Sequence, residues 1–185
     1  MLNVNTLETK LQEIIERKHQ ELNLGRDYSQ KFSKIRDFEG NAIGQIGEEF
    51  AKEIMKSFTE IVDDGVIHNE YDIKTIKGIL FEVKTARKGR ENDTFQFNGI
   101  NPRYNYDYLL CLGICENSIH FRIFKKTEVE YRHNQGRKHF IVQGDFEKQL
   151  VKMNPNNEVN FKLTINLRDL FDISLLPEQL HKILR

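Results

Sequence analysis

One segment restricts the possible folds of this chain more than any other: the continuous apolar run from Tyr108 to Ile114. No charged side chain interrupts it, so neither face of the segment suits solvent. Strands of this kind are typical of sheets that are covered on both faces, as in α/β proteins. The residues that follow, 119–124, alternate between two faces and predict a neighbouring strand.

Helical periodicity dominates the N-terminal third of the chain. Apolar residues at helical spacing predict a first helix over residues 5–23, and a second from about Gly40 to Phe58. Further strands are predicted at 94–97 and 161–165, and helices at 145–153, 167–170 and 177–184. We therefore expect all 185 residues to form one α/β domain, with a central mixed β-sheet flanked by helices. The stripe of the first helix is Leu7, Leu11, Ile14, Ile15 and Leu22.

Composition excludes several classes of protein. A hydrophobic fraction of 38% argues against a disordered chain, and no apolar run reaches membrane-spanning length. The first residues lack the basic and apolar regions of a secretion signal, so we expect a cytoplasmic protein that does not associate with membranes. Cys111 and Cys115 are predicted to be buried thiols, because no other cysteine is present to complete a metal site.

Charge is balanced overall but uneven along the chain. A formal net charge of zero argues against nucleic-acid binding by bulk charge alone. Residues 84–90 and 132–139 are nevertheless basic clusters, in sequence that predicts loops. Solvated loops and phosphate contacts are both open interpretations of these clusters.

A β-hairpin is predicted over residues 71–84, where charged and apolar side chains alternate on either side of a turn. Residues 76–78 suit a three-residue loop, because Gly78 can adopt the left-handed conformation that its third position requires. Such a loop pairs Thr75 with Ile79, and counting outward places Asp72 directly opposite Glu82. Opposite residues of an antiparallel pair have Cβ atoms roughly 4.5–5.5 Å apart.

The chemistry of this face suits a hard cation. Asp72 and Glu82 would repel each other without a bridging charge, and Lys84 lies on the same face one pleat further on. Mg²⁺ commonly binds through one or two carboxylates together with water and phosphate oxygens. A surface hairpin with a solvated polar face is the alternative interpretation.

The second predicted helix offers a further carboxylate. At 100° per residue, Glu49 falls on the solvent face, whereas Glu48 borders the apolar stripe and needs a partner. The active face of the sheet can supply that partner. Gly44 and Gly47 are expected to let this helix approach a strand closely.

The order of these residues along the chain resembles the PD-(D/E)xK nuclease superfamily, and within it the small type II restriction endonucleases. The order is a glutamate on a helix, Glu48, then an aspartate on a strand, Asp72, and then the triplet Glu82-Val83-Lys84 on the next strand. The segments 95–100 and 106–110 resemble the stretch that follows the Glu-x-Lys strand in many such enzymes. The resemblance covers roughly residues 40–125, and Tyr71 replaces the proline of the motif. It implies a restriction-endonuclease-like fold with a catalytic core over these residues.

The resemblance also implies a mechanism. Asp72 and Glu82 would hold Mg²⁺, for which Mn²⁺ can substitute, together with the backbone carbonyl of Val83. The metal would polarise the scissile phosphate and activate a water. Lys84 would position that water and stabilise developing charge, and Glu48 would hold a metal-bound water or contribute to a second metal.

Residues for DNA recognition are predicted from their position and chemistry. Some follow the site directly and suit phosphates, and others lie in polar segments rich in the Asn, Gln and Arg side chains that read adenine and guanine. The predicted DNA contacts are Arg87, Lys88, Arg90, Gln96, Asn98, Asn101, Arg103, Tyr104, Asn105, Arg132, Asn134, Gln135 and Arg137.

The expected function is therefore Mg²⁺-dependent, sequence-specific cleavage of double-stranded DNA by a homodimer, since a two-fold protein mirrors a palindromic site. A repair or junction-resolving nuclease of the same fold, and a DNA-binding module without catalysis, are the alternatives.

Overall fold

The computed structural model describes residues 3–22, 24, 31–63, 65–89, 92–134, 137–143, 147–156 and 159–185, and leaves the side chains of 129–147 undescribed. Three α-helices lie within these ranges: α1 (Val4–Glu21), α2 (Gly40–Met55) and α3 (Leu176–Leu184). The strands are β1 (Ile73–Lys74), β2 (Leu80–Arg87), β3 (Thr94–Ile100), β4 (Tyr108–Ile114), β5 (Ile119–Lys125), β6 (Val129–Asn134), β7 (Arg137–Gln143), β8 (Glu147–Lys152), β9 (Phe161–Asn166) and β10 (Phe171–Asp172). No helix in these ranges is long and apolar enough to cross a membrane.

The central sheet has the strand order β1-β2-β4-β5-β10. Strands β2 and β4 are parallel, and the other neighbours are antiparallel. The predicted α/β class with a mixed central sheet is therefore confirmed. Strand β4 is the predicted apolar run, and its residues from Leu109 onward are buried because apolar clusters cover both faces of the sheet.

The two faces of the sheet have different covers. Helices α1, α2 and α3 pack on one face, around residues such as Phe81 and Val83 of β2. The second sheet, of order β3-β9-β8-β7-β6, contributes Phe95 and Phe97 to the cluster on the other face. Cys111 and Cys115 are buried free thiols, as predicted.

Three predictions of local structure were wrong. The helix predicted over 145–153 is strand β8 within the described residues, because Leu150 packs into the second cluster and cross-strand pairing overrides helix propensity. The described residues of the cluster 132–139, which are 132–134 and 137–139, lie not in a loop but in the paired strands β6 and β7. Residues 84–87 of the first basic cluster also lie in a strand, β2.

The N-terminal helices differ from prediction at their ends. Helix α1 ends at Glu21, and Leu22 is 51% exposed instead of continuing the buried stripe. Asn3 caps its N-terminus by accepting a hydrogen bond from the Thr6 amide at 2.9 Å. Helix α2 ends at Met55, three residues earlier than predicted, and its buried face packs against β2.

Candidate active site

The hairpin that joins β1 and β2 has the predicted register. Thr75 donates its amide hydrogen to the Ile79 carbonyl at 3.0 Å, and Gly78 closes the loop with a φ of +83°. Ile73 pairs with Phe81, so the preceding residue, Asp72, lies opposite Glu82. The pairing follows from loop length and from the left-handed Gly78 alone, which is why sequence reasoning could find it.

Asp72 lies immediately before β1 and extends the pairing of β1 with β2 through its backbone and its side chain. Its amide donates to the Phe81 carbonyl at 2.8 Å, and its Oδ2 accepts a hydrogen bond from the Val83 amide at 2.7 Å. The N–H and C=O groups of a strand residue point to the same edge. The Val83 carbonyl is therefore directed to the edge where the Asp72 carboxylate lies.

Glu82 and Lys84 form a largely buried ion pair on β2. The Glu82 side chain is 5% exposed, and its Oε1 lies 2.5 Å from Lys84 Nζ. Burial, reinforced by the carboxylates of Asp72 and Glu48, raises the pKa of Glu82 to about 7 against the opposing charge of Lys84. Burial disfavours the charge on Lys84, but the surrounding carboxylates outweigh it and raise the pKa of the ammonium group, which stays charged.

Helix α2 approaches β2 closely at Gly47. A Cβ atom at this position would lie 2.7 Å from Thr85 Cβ and 2.8 Å from Thr85 Cγ2, which are impossible contacts. The expected role of Gly47 is confirmed. The same expectation was wrong for Gly44, where a Cβ atom would meet nothing within 4 Å.

This close approach brings Glu48 to the site and leaves Glu49 outside it. Burial, with the Asp72 carboxylate nearby, raises the pKa of Glu48, while the charges of Lys52 and Lys84 partly offset this. Glu49 instead forms an ion pair with Arg17 of α1. The predicted distinction between the two neighbouring glutamates is therefore confirmed.

A cleft of about 1060 Å³ is lined by Glu48, Val83 and Lys84 of this site. Strand β1 pairs with the start of β2, and a bridge between Lys88 and Phe95 joins β3 to the chain just after the end of β2. Both contacts lie on the edge of β2 that faces away from β4. Between them, over residues 83–87, no described strand pairs with this edge. The N-terminal half of α2, up to Glu48, lines the cleft together with this edge and residues 94–99 of the β3 segment.

The predicted DNA contacts nearest the site fall into two groups. Gln96 and Asn98 are exposed and line the cleft, with Gln96 Nε2 donating to Asn98 Oδ1 at 3.1 Å. Arg87 also lines it, but its guanidinium is engaged by the carbonyl oxygens of Arg36 and Phe38. Lys88 pairs with Asp93 at 3.0 Å, and the prediction for Arg90 lies outside the described residues.

The segment before β4 is more structural than predicted. Asn101 is 4% exposed, and its Oδ1 accepts a hydrogen bond from the Arg103 amide at 3.0 Å. This side chain folds the local turn and is poorly placed to read a base. Arg103 and Asn105 are exposed, and Tyr104 is partly buried against the second cluster.

The remaining predicted contacts fall within residues 132–137. Arg132 and Asn134 belong to β6 and Arg137 begins β7, with side chains outside the described part of the chain. Gln135 lies outside the described residues altogether. These four predictions remain predictions.

Two residues near Glu82 were not anticipated. Tyr106 is 1% exposed, and its hydroxyl has no hydrogen-bond partner among the described residues. Lys126 holds its ammonium nitrogen 4.2 Å from the centre of the Tyr106 ring and donates to the Tyr104 carbonyl at 2.8 Å. No sequence signal marks either residue, because packing of the segments that flank β4 and β5, and not chain proximity, places them near Glu82.

The donor set fits a hard divalent cation with few protein ligands. Among the described residues, no three His, Cys, Asp or Glu side chains form a preassembled metal cluster. Two facing carboxylates with Glu48 nearby nevertheless form a partly buried group of negative charges: burial is the main cause of the raised pKa values of Glu82 and Glu48, and the neighbouring carboxylates add to it. A cation would relieve that repulsion, and oxygen-only donors suit Mg²⁺ better than zinc.

Comparisons with known proteins identify no relative. No family model matches the chain, and no curated protein matches its sequence significantly. Functional inference therefore depends on the geometry of the site.

Proposed function

We propose that this protein is a Mg²⁺-dependent, sequence-specific endonuclease that hydrolyses phosphodiester bonds of double-stranded DNA, as type II restriction enzymes do. One observation carries the proposal: Asp72 faces Glu82 across the hairpin, and the Lys84 ammonium lies 2.5 Å from the Glu82 carboxylate. Two facing carboxylates beside a charged lysine that lines an open cleft suit phosphodiester hydrolysis.

Each residue has a role in this proposal. Asp72 and Glu82 would hold Mg²⁺ with the Val83 carbonyl, and the ion, when bound, supplies Lewis-acid polarisation of the phosphate and a more acidic water. Lys84 keeps its proton and stabilises negative charge on the phosphate oxygens. Glu48 orients a water at the edge of the carboxylate pair.

The open cleft suits a long substrate. Its volume of about 1060 Å³ and its polar lining by Gln96 and Asn98 favour a nucleic acid over a small apolar ligand. Cleavage of both strands requires two sites, so we propose a homodimer acting in the cytoplasm, with each copy cutting one strand.

Incubation of the purified protein with plasmid and genomic DNA in the presence of Mg²⁺ tests the proposal. Wild-type protein is expected to give discrete fragments with a common sequence at their ends, and EDTA is expected to abolish cleavage. Lys84→Ala should lose cleavage by at least about 100-fold, within the range seen when an electrostatic stabiliser is removed. Lys182→Ala, which removes an exposed lysine of α3 paired with Glu178 at 2.6 Å, is the control and should cleave normally.

Two results would contradict the proposal. Absence of cleavage under any Mg²⁺ or Mn²⁺ condition would refute a nuclease, and so would equal cleavage by Lys84→Ala and wild type. Preference for branched or single-stranded DNA without a common end sequence would instead identify a repair or junction-resolving nuclease.

A further inference from the structure

A second recess lies beside the carboxylate site. Helix α2 lines the cleft with its N-terminal half, up to Glu48, whereas Lys52 of its C-terminal half and Lys56, the residue that follows the helix, line this recess. Asp72 and Lys74 line the recess from the β1 segment. Because Glu48 and Lys84 border the cleft and Asp72 borders the recess, the carboxylate site lies between the two openings.

Three lysines line the recess, Lys52 and Lys56 from the α2 side and Lys74 from the β1 segment, and we call the recess the lysine groove. The carboxylates of Asp63 and Asp72 line it as well, so lysines outnumber carboxylates three to two. Lys56 pairs with Glu53 at 2.8 Å, whereas Lys52 and Lys74 form no ion pair with any residue in the described ranges. Lys52 and Lys56 are one helical turn apart at the end of α2, about 6 Å along its axis, so they can follow successive charges of an extended ligand.

A flat ring pair and aliphatic side chains also line the lysine groove. The rings of His68 and Tyr71 stack with their centroids 4.6 Å apart and an angle of 19° between them, and Ile61 and Val62 line the same recess. With a volume of about 140 Å³, the groove has room for one backbone unit but not for a duplex. Ammonium groups together with a flat ring surface suit a sugar–phosphate strand, in which charged phosphates alternate with sugars.

We propose that the lysine groove binds the DNA backbone at the phosphate next to the scissile one, with Lys52 and Lys74 as the phosphate contacts. The inference rests on the proposed nuclease function and adds a substrate-binding site to it. Such a contact positions the strand but reads no base, so it acts on all sequences alike.

The experiment measures binding of a duplex that contains the cleavage site, in EDTA to prevent cleavage, as a function of NaCl concentration. Each lost phosphate contact lowers the slope of log K against log salt by about 0.9. The variant Lys52→Gln/Lys74→Gln should therefore reduce the slope by about 1.8, and should weaken cognate and non-cognate duplexes by the same factor. Glutamine removes the charge and keeps part of the aliphatic stem of these two half-buried lysines.

Two control variants isolate the site from bulk charge and from folding. Lys18→Gln/Lys34→Gln removes two partly buried lysines that pair with Glu21 and Glu16 near α1, and should leave the slope unchanged. Lys52→Arg/Lys74→Arg keeps both charges and should keep the slope. Thermal melting confirms that every variant is folded before binding is measured.

The outcomes separate this inference from the proposed function. If wild type binds and cleaves DNA but the glutamine variant keeps the wild-type slope, the lysine groove is not a phosphate site and the nuclease proposal stands. An equal reduction of the salt slope in the Lys18→Gln/Lys34→Gln control would also overturn the inference, because only the net charge of the protein would then determine DNA binding. If wild type neither binds nor cleaves DNA, both proposals fail together.

Discussion

Replacing Gly47 by alanine tests the close approach of α2 to β2, on which the position of Glu48 depends. The new methyl carbon would lie 2.7 Å from Thr85 Cβ and 2.8 Å from Cγ2. Rotation of Thr85 cannot remove the first contact, because Cβ is fixed by the backbone of β2. The helix must therefore move away from the strand and carry Glu48 with it.

The magnitude follows from two opposing effects. Alanine in a helix interior is more stable than glycine by about 1 kcal/mol, whereas overpacking of a tight contact costs about 1–3 kcal/mol. Gly44→Ala, one turn earlier in α2, gains the first effect without the second, because nothing lies within 4 Å of its Cβ position. Helix propensity cancels between the two variants, so Gly47→Ala should be about 1–3 kcal/mol less stable than Gly44→Ala.

Urea denaturation followed by circular dichroism measures both free energies of unfolding. Adding Thr85→Ala to Gly47→Ala should restore part of the loss, because it removes two of the contacting atoms. Thr85 Oγ1 is buried without a hydrogen-bond partner in the described part of the chain, so the single Thr85→Ala variant should cost little stability. If Gly47→Ala proves as stable as Gly44→Ala, the close approach does not exist and the account of Glu48 is wrong.

Two further predictions concern the carboxylates. Glu48→Gln should reduce DNA cleavage at least about 10-fold, a modest loss for a residue that orients a reacting group. Glu49→Gln removes only a surface ion pair with Arg17 and should leave cleavage unchanged. Initial rates of cleavage of plasmid DNA measure both effects. Glu82 has a folded-state pKa of about 7, above the value of 4.5 that applies when it is unfolded. Its contribution to stability is therefore complete below pH 4.5 and is lost as the pH rises through 7, by up to about 3 kcal/mol in protein without metal. Relative to wild type, Glu82→Gln should thus gain stability between pH 4.5 and pH 8, as urea denaturation at the two pH values measures.

Clear results would contradict these expectations. Equal cleavage by Glu48→Gln and Glu49→Gln would remove Glu48 from the site. A stability difference between wild type and Glu82→Gln that is the same at pH 4.5 and pH 8 would show that the Glu82 carboxyl is not buried among negative charges. Mg²⁺ should reduce that difference at pH 8, because a bound cation stabilises the ionised carboxylate.

Much of the fold was predictable because it depends on local patterns. The apolar run at 108–114 could only be a covered strand, and the stripe on α2 could only face a core. Strand β8 was mispredicted because its residues favour a helix when taken alone. Pairing with β7 and burial of Leu150 decided its structure, and neither can be read from residues 145–153.

In the candidate site too, features set by local geometry were predictable from the sequence, and features set by packing were not. The Asp72–Glu82 pairing was accessible from sequence, since a three-residue loop and the left-handed Gly78 fix the register over a few residues. The role of Asn101 was not accessible, because its burial depends on how the chain turns before β4. The engagement of Arg87 by carbonyl oxygens of residues 36 and 38 likewise joins segments that are distant in the chain.

By itself, the sequence determined the hairpin, the face that carries Glu82 and Lys84, and the choice of Glu48 over Glu49, because strand and helix periodicities are local geometry. Only the tertiary structure decided that Gly47, and not Gly44, brings α2 against β2, and that α2 and β1 assemble the lysine groove. These features depend on how separate elements pack, and packing is set by contacts between residues far apart in the chain.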